Sequence, residues 1–188
     1  MTAESARLFA ALELPGAIRD ALRDWRESAV GSDDAWRSVA TDALHVTLCF
    51  LGDQPVRDID AIARVCGEVR FDPAPLLTLA APRTLPPRRP RVLAVAVDDP
   101  DGALAAIQRR LARKLAAGGW YELVARPYLA HVTVARAAGR GSQPQVGSLP
   151  NVPTLSFAGT NVSLLRSRLG GQGARYERLT TVTLDPAL

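Results

Sequence analysis

The sequence predicts a mixed fold of helices and strands that is built from two similar halves. Three segments carry apolar residues at the spacing of amphipathic helices, and the short apolar runs between them are typical of strands. Two of these runs, one in each half of the chain, contain almost the same four residues. We therefore expect a single domain over residues 1–188 in which one strand–helix–strand unit occurs twice.

The composition is that of an ordinary soluble protein. The chain has 188 residues, of which 47% are hydrophobic and 22% are charged, which excludes a disordered tail, a collagen and a coiled coil. No apolar run approaches the ~20 residues that a membrane-spanning helix needs. The apolar run near the start is interrupted by Glu13 and has no basic leader, so we expect no signal peptide, no membrane partner and a cytoplasmic location.

The basic residues are almost all arginines. The 23 lysines and arginines exceed the 19 acidic residues by a net charge of +4, and Lys114 is the one lysine. GC-rich coding is one explanation, but the planar donor fork of arginine also matches a phosphate, so an anionic partner is permitted. The two cysteines, Cys49 and Cys66, lack metal-ligand spacing, and we expect two buried free thiols.

The predicted helices cover residues 16–30, 55–69 and 101–117. Pro15 is placed to begin the first helix, and glycines 118 and 119 end the third. The apolar faces of the three helices consist of Ile18, Leu22, Trp25 and Ala29; Ile59, Ile62, Cys66 and Val69; and Leu104, Ile107, Leu111 and Leu115.

The remaining segments are predicted to be strands, loops and turns. The strands cover residues 7–14, 44–51, 76–81, 92–97, 128–136, 154–157, 161–165 and 175–184. The segment 81–91, rich in proline and arginine, is predicted to be an exposed loop, 139–153 a second long loop, and 170–173 the tip of a hairpin.

The repeated motif contains the only two histidines of the chain. Residues 45–48 read His-Val-Thr-Leu and residues 131–134 read His-Val-Thr-Val, an offset of 86. The alternative is that two common β-strand sequences resemble each other by chance, but the composition of the chain makes such a match rare. The same offset of 86, without a gap, places residues 8–11 on 94–97, Ile18 on Leu104, Trp25 on Leu111 and Ala29 on Leu115.

The motif brings together the side chains that phosphoryl chemistry needs. Successive side chains of a strand alternate between faces, so His45 and Thr47 share one face, roughly 6–7 Å apart, and so do His131 and Thr133. If a two-fold axis relates the halves, both pairs converge on one cleft. One imidazole can then take a proton from an attacking water while the other protonates the departing oxygen, and the hydroxyls can bind phosphate oxygens.

Two other interpretations of the histidines remain open at this point. A histidine in a strand is often a hydrogen-bonded core residue, although two matched histidines in one chain favour function. Both could also be metal ligands, but a zinc site normally has three or four suitable ligands, and no third candidate lies near either motif. We therefore expect no metal and no cofactor.

At these residues the sequence resembles the 2H phosphoesterase superfamily, and within it the RNA 2′,3′-cyclic phosphodiesterases, historically called 2′-5′ RNA ligases. Residues 44–52 (LHVTLCFLG) resemble the family segment N-x-H-x-T-L-x-F-L-G, and residues 126–136 (RPYLAHVTVAR) resemble R-P-[FY]-x-P-H-x-T-L-x-R. Residues 7–10 and the hairpin at 167–176 are also similar to the family. One departure is Ala130, which replaces the proline that usually precedes the second histidine.

The resemblance implies an α+β, bilobal LigT-like fold. Two pseudo-symmetric lobes, each with an antiparallel sheet and flanking helices, would enclose a central V-shaped cleft. The implied substrate is RNA that ends in a 2′,3′-cyclic phosphate, which is hydrolysed to a 2′-phosphate without a metal. The reverse reaction, 2′-5′ ligation of RNA, is implied as a lesser activity, and we expect the protein to be a monomer.

The family also implies roles for individual residues. His45 would donate a proton to the departing 3′ oxygen, and His131 would accept one from water. Thr47 and Thr133 would bind the phosphate. Arg136 would lie beside the terminal nucleotide, but its odd spacing from His131 puts it on the same face only if the strand contains a bulge.

Arginines and aromatic residues are further candidates for RNA contacts. Arg88, Arg89 and Arg91, together with Arg83, lie in the predicted loop 81–91 and either form a rim for the RNA backbone or a merely solvated loop. Aromatic residues either stack on a base or belong to the core, the more common case in strands. The aromatic candidates are Phe9, Trp36, Phe50, Tyr121 and Tyr128.

The motif leaves the substrate open. The same chemistry would serve a 2′-5′ oligonucleotide, a small cyclic nucleotide or a cyclic ADP-ribose derivative. A different class of function is a non-catalytic module that clamps an RNA end with the two histidine–threonine pairs. Turnover of a 2′,3′-cyclic nucleotide in the presence of EDTA separates an enzyme from a clamp.

Overall fold

The computed structural model describes residues 4–68, 74–139, 144, 148–170 and 173–185. The strands are β1 (Ser5–Glu13), β2 (Trp36–Ser38), β3 (His45–Pro55), β4 (Leu76–Leu85), β5 (Val92–Asp98), β6 (His131–Ala137), β7 (Ser156–Ala158), β8 (Asn161–Gly170) and β9 (Gly173–Thr183). The α-helices are α1 (Gly16–Val30), α2 (Ile59–Glu68) and α3 (Ala103–Ala117), with short 3₁₀ helices at Thr41–Ala43 and Val56–Asp58. None of these helices is long and apolar enough to cross a bilayer.

The strands form one curled antiparallel sheet in the order β7-β4-β5-β6-β3-β1-β8-β9, and β2 pairs with β6 beside the path. The two halves meet where β3 and β6 pair at Val46 and Val132, both fully buried. The fold is therefore α+β with antiparallel pairing in both halves, as the sequence predicts. The two lobes share one continuous sheet, because the motif strands themselves join them.

The helices cover one face of the sheet and cross between the halves. Helix α1, from the first half, packs against β6, and α3, from the second half, packs against β3. Their predicted apolar faces are buried at Leu22, Leu104 and Leu111. Burial of a leucine side chain contributes roughly 1.5–3 kcal/mol. Because each helix packs on the motif strand of the other half, this burial stabilises the junction of the halves. Val69, predicted on the face of α2, lies outside the described residues.

The strand–helix–strand order is present twice, as β1-α1-β3 and β5-α3-β6. The gap-free alignment predicted at an offset of 86 is, however, wrong for the first strands. Phe9 lies opposite Phe50, and the equivalent pair in the second half is Val92 opposite Arg136, so β1 and β5 correspond at an offset of 83. The longer connection between β5 and α3 accommodates the difference of three residues.

Both motif strands contain a bulge at the same place. On β3, Leu48 has no partner on β1, because Ala10 pairs with Cys49 and Ala11 with Thr47. On β6, Val134 is the equivalent unpaired residue on the β5 side. The extra residue reverses the alternation, so two consecutive residues face the helices and the next one returns to the face of the histidines.

Several element boundaries differ from the predictions. The segment 81–91 is only partly a loop, because β4 continues to Leu85 and places Arg83 in a strand; the turn proper follows it. Pro82 is tolerated there because the pairing of β4 with β5 is irregular just before it. Strand β2 was not predicted. Residues 140–143 and 145–147 of the predicted loop 139–153, and residues 171–172 of the hairpin tip, lie outside the described residues.

Candidate active site

The two motifs face each other across the junction of the halves. Because Val46 lies opposite Val132 in an antiparallel pair, His45 is in register with Thr133 and Thr47 with His131. The four side chains share the face of the sheet that the helices leave open, and all four are half-buried. The first six residues of each motif strand also show the same sequence of burial, which makes the site close to two-fold symmetric.

Both imidazoles are held by the backbone just upstream of the motif. Nδ1 of His45 lies 2.7 Å from the carbonyl oxygen of Ala43, and Nδ1 of His131 lies 2.8 Å from that of Leu129. A carbonyl oxygen only accepts, so Nδ1 carries the hydrogen in both rings. Each Nε2 is then left for chemistry, and that of His45 lies 3.1 Å from the hydroxyl oxygen of Thr47.

Two aromatic rings pack against the imidazole of His45. Its ring centroid lies 4.9 Å from that of Phe9 and 5.3 Å from that of Tyr176, which meets it edge-on. Phe9 is buried and packs with Ala11 and Leu165 in a small cluster separate from the main core. Among the described residues, no ring packs in this way against His131, so the two imidazoles differ in environment although the backbone is symmetric.

Burial lowers the pKa of His45 below its ordinary value of 6.5. Loss of hydration is the largest cause, because burial disfavours the charged imidazole. The positive charges of Arg136 and His131 lower the pKa further, and the hydrogen bond to Ala43 opposes them. In the free protein, His45 is therefore neutral at physiological pH.

Arg136 lies on the site face because of the bulge at Val134. Val134 and Ala135 are both fully buried, and the exposed Arg136 follows them. This confirms the bulge that the spacing from His131 required, and it agrees with the effect of Arg136 on the pKa of His45. The equivalent residue of the first half is Phe50, which is 49% exposed.

The structure separates the aromatic candidates. Phe9 and Trp36 are buried, and Tyr121 and Tyr128 pack against the core. The hydroxyl of Tyr128 donates to the carbonyl oxygen of Thr47 at 2.9 Å, so it ties the loop before β6 to the first motif. Contact of Tyr128 with a nucleotide stays a prediction. Phe50 is the candidate whose ring is open to solvent, with Arg7 over the ring at 4.7 Å.

The arginines of segment 81–91 lie near the end of β6 that carries Arg136. Arg88, Arg89 and Arg91 are exposed in the turn between β4 and β5, and the carbonyl oxygen of Arg91 accepts from the backbone of Ala137. The turn therefore extends the positive end of the site, although a role of these three arginines in RNA binding stays a prediction.

Sequence reasoning missed a polar network beside His45. Glu13, the β1 partner of His45, accepts two hydrogen bonds from the guanidinium of Arg178 and one from the hydroxyl of Ser163, which also lies 2.7 Å from Thr181. Its members come from three strands and are far apart in the chain, so no local pattern indicates them.

A profile of the 2′-5′ RNA ligase superfamily matches residues 14–171, which include both motif strands, their bulges and Arg136. The chain belongs to the 2′-5′ RNA ligase superfamily. The resemblance drawn from the two histidine motifs is thereby confirmed at the level of the family.

Relatives within the superfamily cover nearly the whole chain. The RNA 2′,3′-cyclic phosphodiesterase of Escherichia coli is 30% identical over 94% of this chain and 95% of its own length. The enzyme of the same name from Methanothermobacter thermautotrophicus is 28% identical over 90% of this chain and 94% of its own. The crystal structure of E. coli LigT complexed with 3′-AMP is 29% identical, covers 96% of this chain and 99% of that one, and superimposes with a TM-score of 0.81.

The environment of His45 in this superfamily member leads to a spectroscopic prediction. In an NMR titration, the imidazole of His45 should titrate below 6.5, and replacing Arg136 by Gln should raise its pKa because one of the causes of the lowering is removed. With two histidines in the chain, a His131→Asn variant assigns both signals. Arg109→Gln, an exposed arginine on α3, should leave the titration unchanged. A midpoint of His45 at or above 6.5 in the free protein would contradict the argument.

Proposed function

We propose that this protein hydrolyses the terminal 2′,3′-cyclic phosphate of RNA to a 2′-phosphate without a metal. The observation that carries the proposal is the register of the motif strands, which puts two imidazoles and two hydroxyls across one junction. Two relatives of nearly the same length are named RNA 2′,3′-cyclic phosphodiesterases, which supports the substrate class. The whole chain acts as one bilobal domain in this proposal, because each half contributes one motif.

In the proposed reaction, the phosphorus atom lies between the two Nε2 atoms. A water oxygen attacks the phosphorus, its proton passes to Nε2 of His131, and the bond between phosphorus and the 3′ oxygen breaks. The proton on Nε2 of His45 passes to that oxygen, so that the phosphate stays on the 2′ oxygen. Thr47 and Thr133 donate to non-bridging oxygens of the phosphate. Arg136, beside the terminal nucleotide, adds positive charge to this end of the site.

The neutral state of His45 in the free protein has a consequence for its donor role. An imidazole can donate only when it is charged, and burial, Arg136 and His131 all disfavour that charge. A bound phosphate monoanion brings a negative charge to the same place, so it raises the pKa of His45. Substrate binding thereby protonates the donor, and the dependence of turnover on pH is bell-shaped, with limbs that belong to the pair of histidines.

The surroundings of the site supply candidate contacts for the RNA. The exposed ring of Phe50 offers a face on which a base can stack, at the end of the site away from Arg136. Arg88, Arg89 and Arg91 supply positive charge for the sugar–phosphate backbone at the other end. Each contact with a single-stranded phosphate contributes about 0.7 to the slope of log affinity against log salt.

The test of the proposed function is direct. The protein should hydrolyse a 2′,3′-cyclic nucleotide and an RNA with that terminus in the presence of EDTA, and phosphorus NMR should show the 2′-phosphate as the product. Preference for a 2′-5′ oligonucleotide, or formation of a 2′-5′ bond as the main reaction, would replace the substrate assignment. Binding of the RNA end without turnover would show that the protein is a non-catalytic module that clamps an RNA end, and not an enzyme.

A further inference from the structure

A second arginine lies directly beside Arg136 on the site face. Strand β2 pairs with the end of β6, and Arg37 is the direct partner of Arg136 in that pair. Directly opposed residues of an antiparallel pair have Cα atoms about 4.5–5.5 Å apart and point to the same side of the sheet. Trp36, on the other face of β2, is buried in the main core, which leaves Arg37 on the side of the histidines.

This pairing of like charges is unfavourable for the fold alone. Like charges directly opposite each other destabilise a strand pair. Among the described residues, neither guanidinium forms an ion pair or a hydrogen bond, although the exposed Asp33 and Asp34 lie just upstream of β2. An anionic ligand between the two arginines would offset the repulsion.

The two ends of the site differ in charge. At the Phe50 end, the guanidinium of Arg7 lies over the ring and 3.9 Å from the carboxylate of Asp53. That end therefore has an aromatic ring, and the positive charge of Arg7 is offset by Asp53. Beyond His45, Arg136 and Arg37 are followed by the exposed arginines of the turn between β4 and β5. Arg136 lies three residues past Thr133, roughly 7–10 Å along the strand, which is the scale of one nucleotide.

We propose that Arg37 binds the phosphodiester on the 5′ side of the terminal nucleotide and thereby makes the enzyme prefer an RNA end to a cyclic mononucleotide. The inference rests on the proposed function, since it takes the cyclic phosphate to lie between the histidines. Arg136 then contacts the terminal nucleotide, and Arg37 binds the first internucleotide phosphate. A cyclic mononucleotide lacks that phosphate and gains nothing from Arg37.

The experiment compares two substrates and one binding reaction in Arg37→Ala. Turnover of a 2′,3′-cyclic mononucleotide should stay within about twofold of wild type, whereas kcat/KM for a dinucleotide with the same terminus should fall about tenfold, because one charged hydrogen-bonded contact is lost. The slope of log affinity against log salt for a single-stranded RNA should become shallower by about 0.7. Arg37→Lys should keep the slope but recover only part of the rate.

The controls separate this proposal from a structural role and from the proposed function. Arg64→Ala removes an equal charge from the exposed face of α2. It should change neither the ratio of kcat/KM between the dinucleotide and the mononucleotide nor the slope of log affinity against log salt. The thermal midpoint of Arg37→Ala should not fall, because a like-charge repulsion is removed. Equal losses on both substrates, or an unchanged salt slope, would overturn the role of Arg37. Failure of the wild type to hydrolyse either substrate would instead overturn the proposed function, and the RNA-binding slope would still decide for or against Arg37.

Discussion

Replacing either His45 or His131 by alanine is expected to lower the turnover of a 2′,3′-cyclic nucleotide by about 10²–10⁴-fold, the usual contribution of a general acid or base. In the proposed mechanism the two imidazoles act on opposite sides of one phosphorus atom, so each loss removes one of two proton transfers. The double variant should be little worse than either single variant, because residues that act as a unit are not additive.

The folded state of these variants has to be established alongside the rates. Each imidazole also donates from Nδ1 to a backbone carbonyl, and asparagine can retain that donor without a titratable nitrogen. His45→Asn and His131→Asn should therefore unfold at about the wild-type temperature and remain inactive. The single variants should each lose one limb of the bell-shaped pH profile in their residual activity. Turnover within threefold of wild type in either alanine variant would exclude the proposed acid–base pair.

Replacing Phe9 by alanine is expected to lower the free energy of unfolding by about 3–5 kcal/mol, the range for a buried phenylalanine. Phe9 is 4% exposed, and its ring contacts both His45 and Tyr176. The control is its direct strand partner, Phe50, which is 49% exposed. Phe50→Ala should cost less than about 1 kcal/mol, so that urea denaturation of the two variants isolates burial from residue type.

The same substitution should change the pH dependence of stability. Folding lowers the pKa of His45, so its contribution to stability is present above about pH 6.5 and is lost as the pH falls through the lower pKa of the folded state. In Phe9→Ala, water reaches the imidazole and its pKa moves back towards the ordinary value. The loss of stability between pH 7 and pH 5 should therefore be smaller in the variant. An unchanged pH dependence would show that Phe9 does not control the hydration of His45.

The predictability of the fold follows from the strength of each local pattern. Helix α1 was predicted with its observed bounds, because its apolar spacing and the preceding Pro15 agree. Strand β2 was missed because three residues, one of them buried, carry no periodic signal. The offset of 83 between β1 and β5 was missed because apolar strand residues are interchangeable in an alignment, whereas hydrogen-bond register is not.

The site could be predicted at its centre but not at its margins. The four motif residues could be predicted to share one face because strand alternation puts each histidine on the same side as its threonine. Residues at the margins, such as Phe9, Tyr176 and Arg37, are distant in the chain from the motif strands that they contact or pair with. Their proximity to the histidines depends on strand order, which short-range periodicity does not encode.

Two histidine–threonine motifs, one in each half of a repeated unit, and the segments around them were enough to identify the family and to predict the proposed chemistry. The tertiary structure decided how unlike the two copies are. Burial lowers the pKa of His45, against whose ring Phe9 and Tyr176 pack, while the bulge at Val134 turns Arg136 towards the same imidazole. The pairing of β2 with β6 places Arg37 opposite Arg136. These differences arise because hydration and charge depend on neighbours in space, whereas the two motifs are almost identical along the chain.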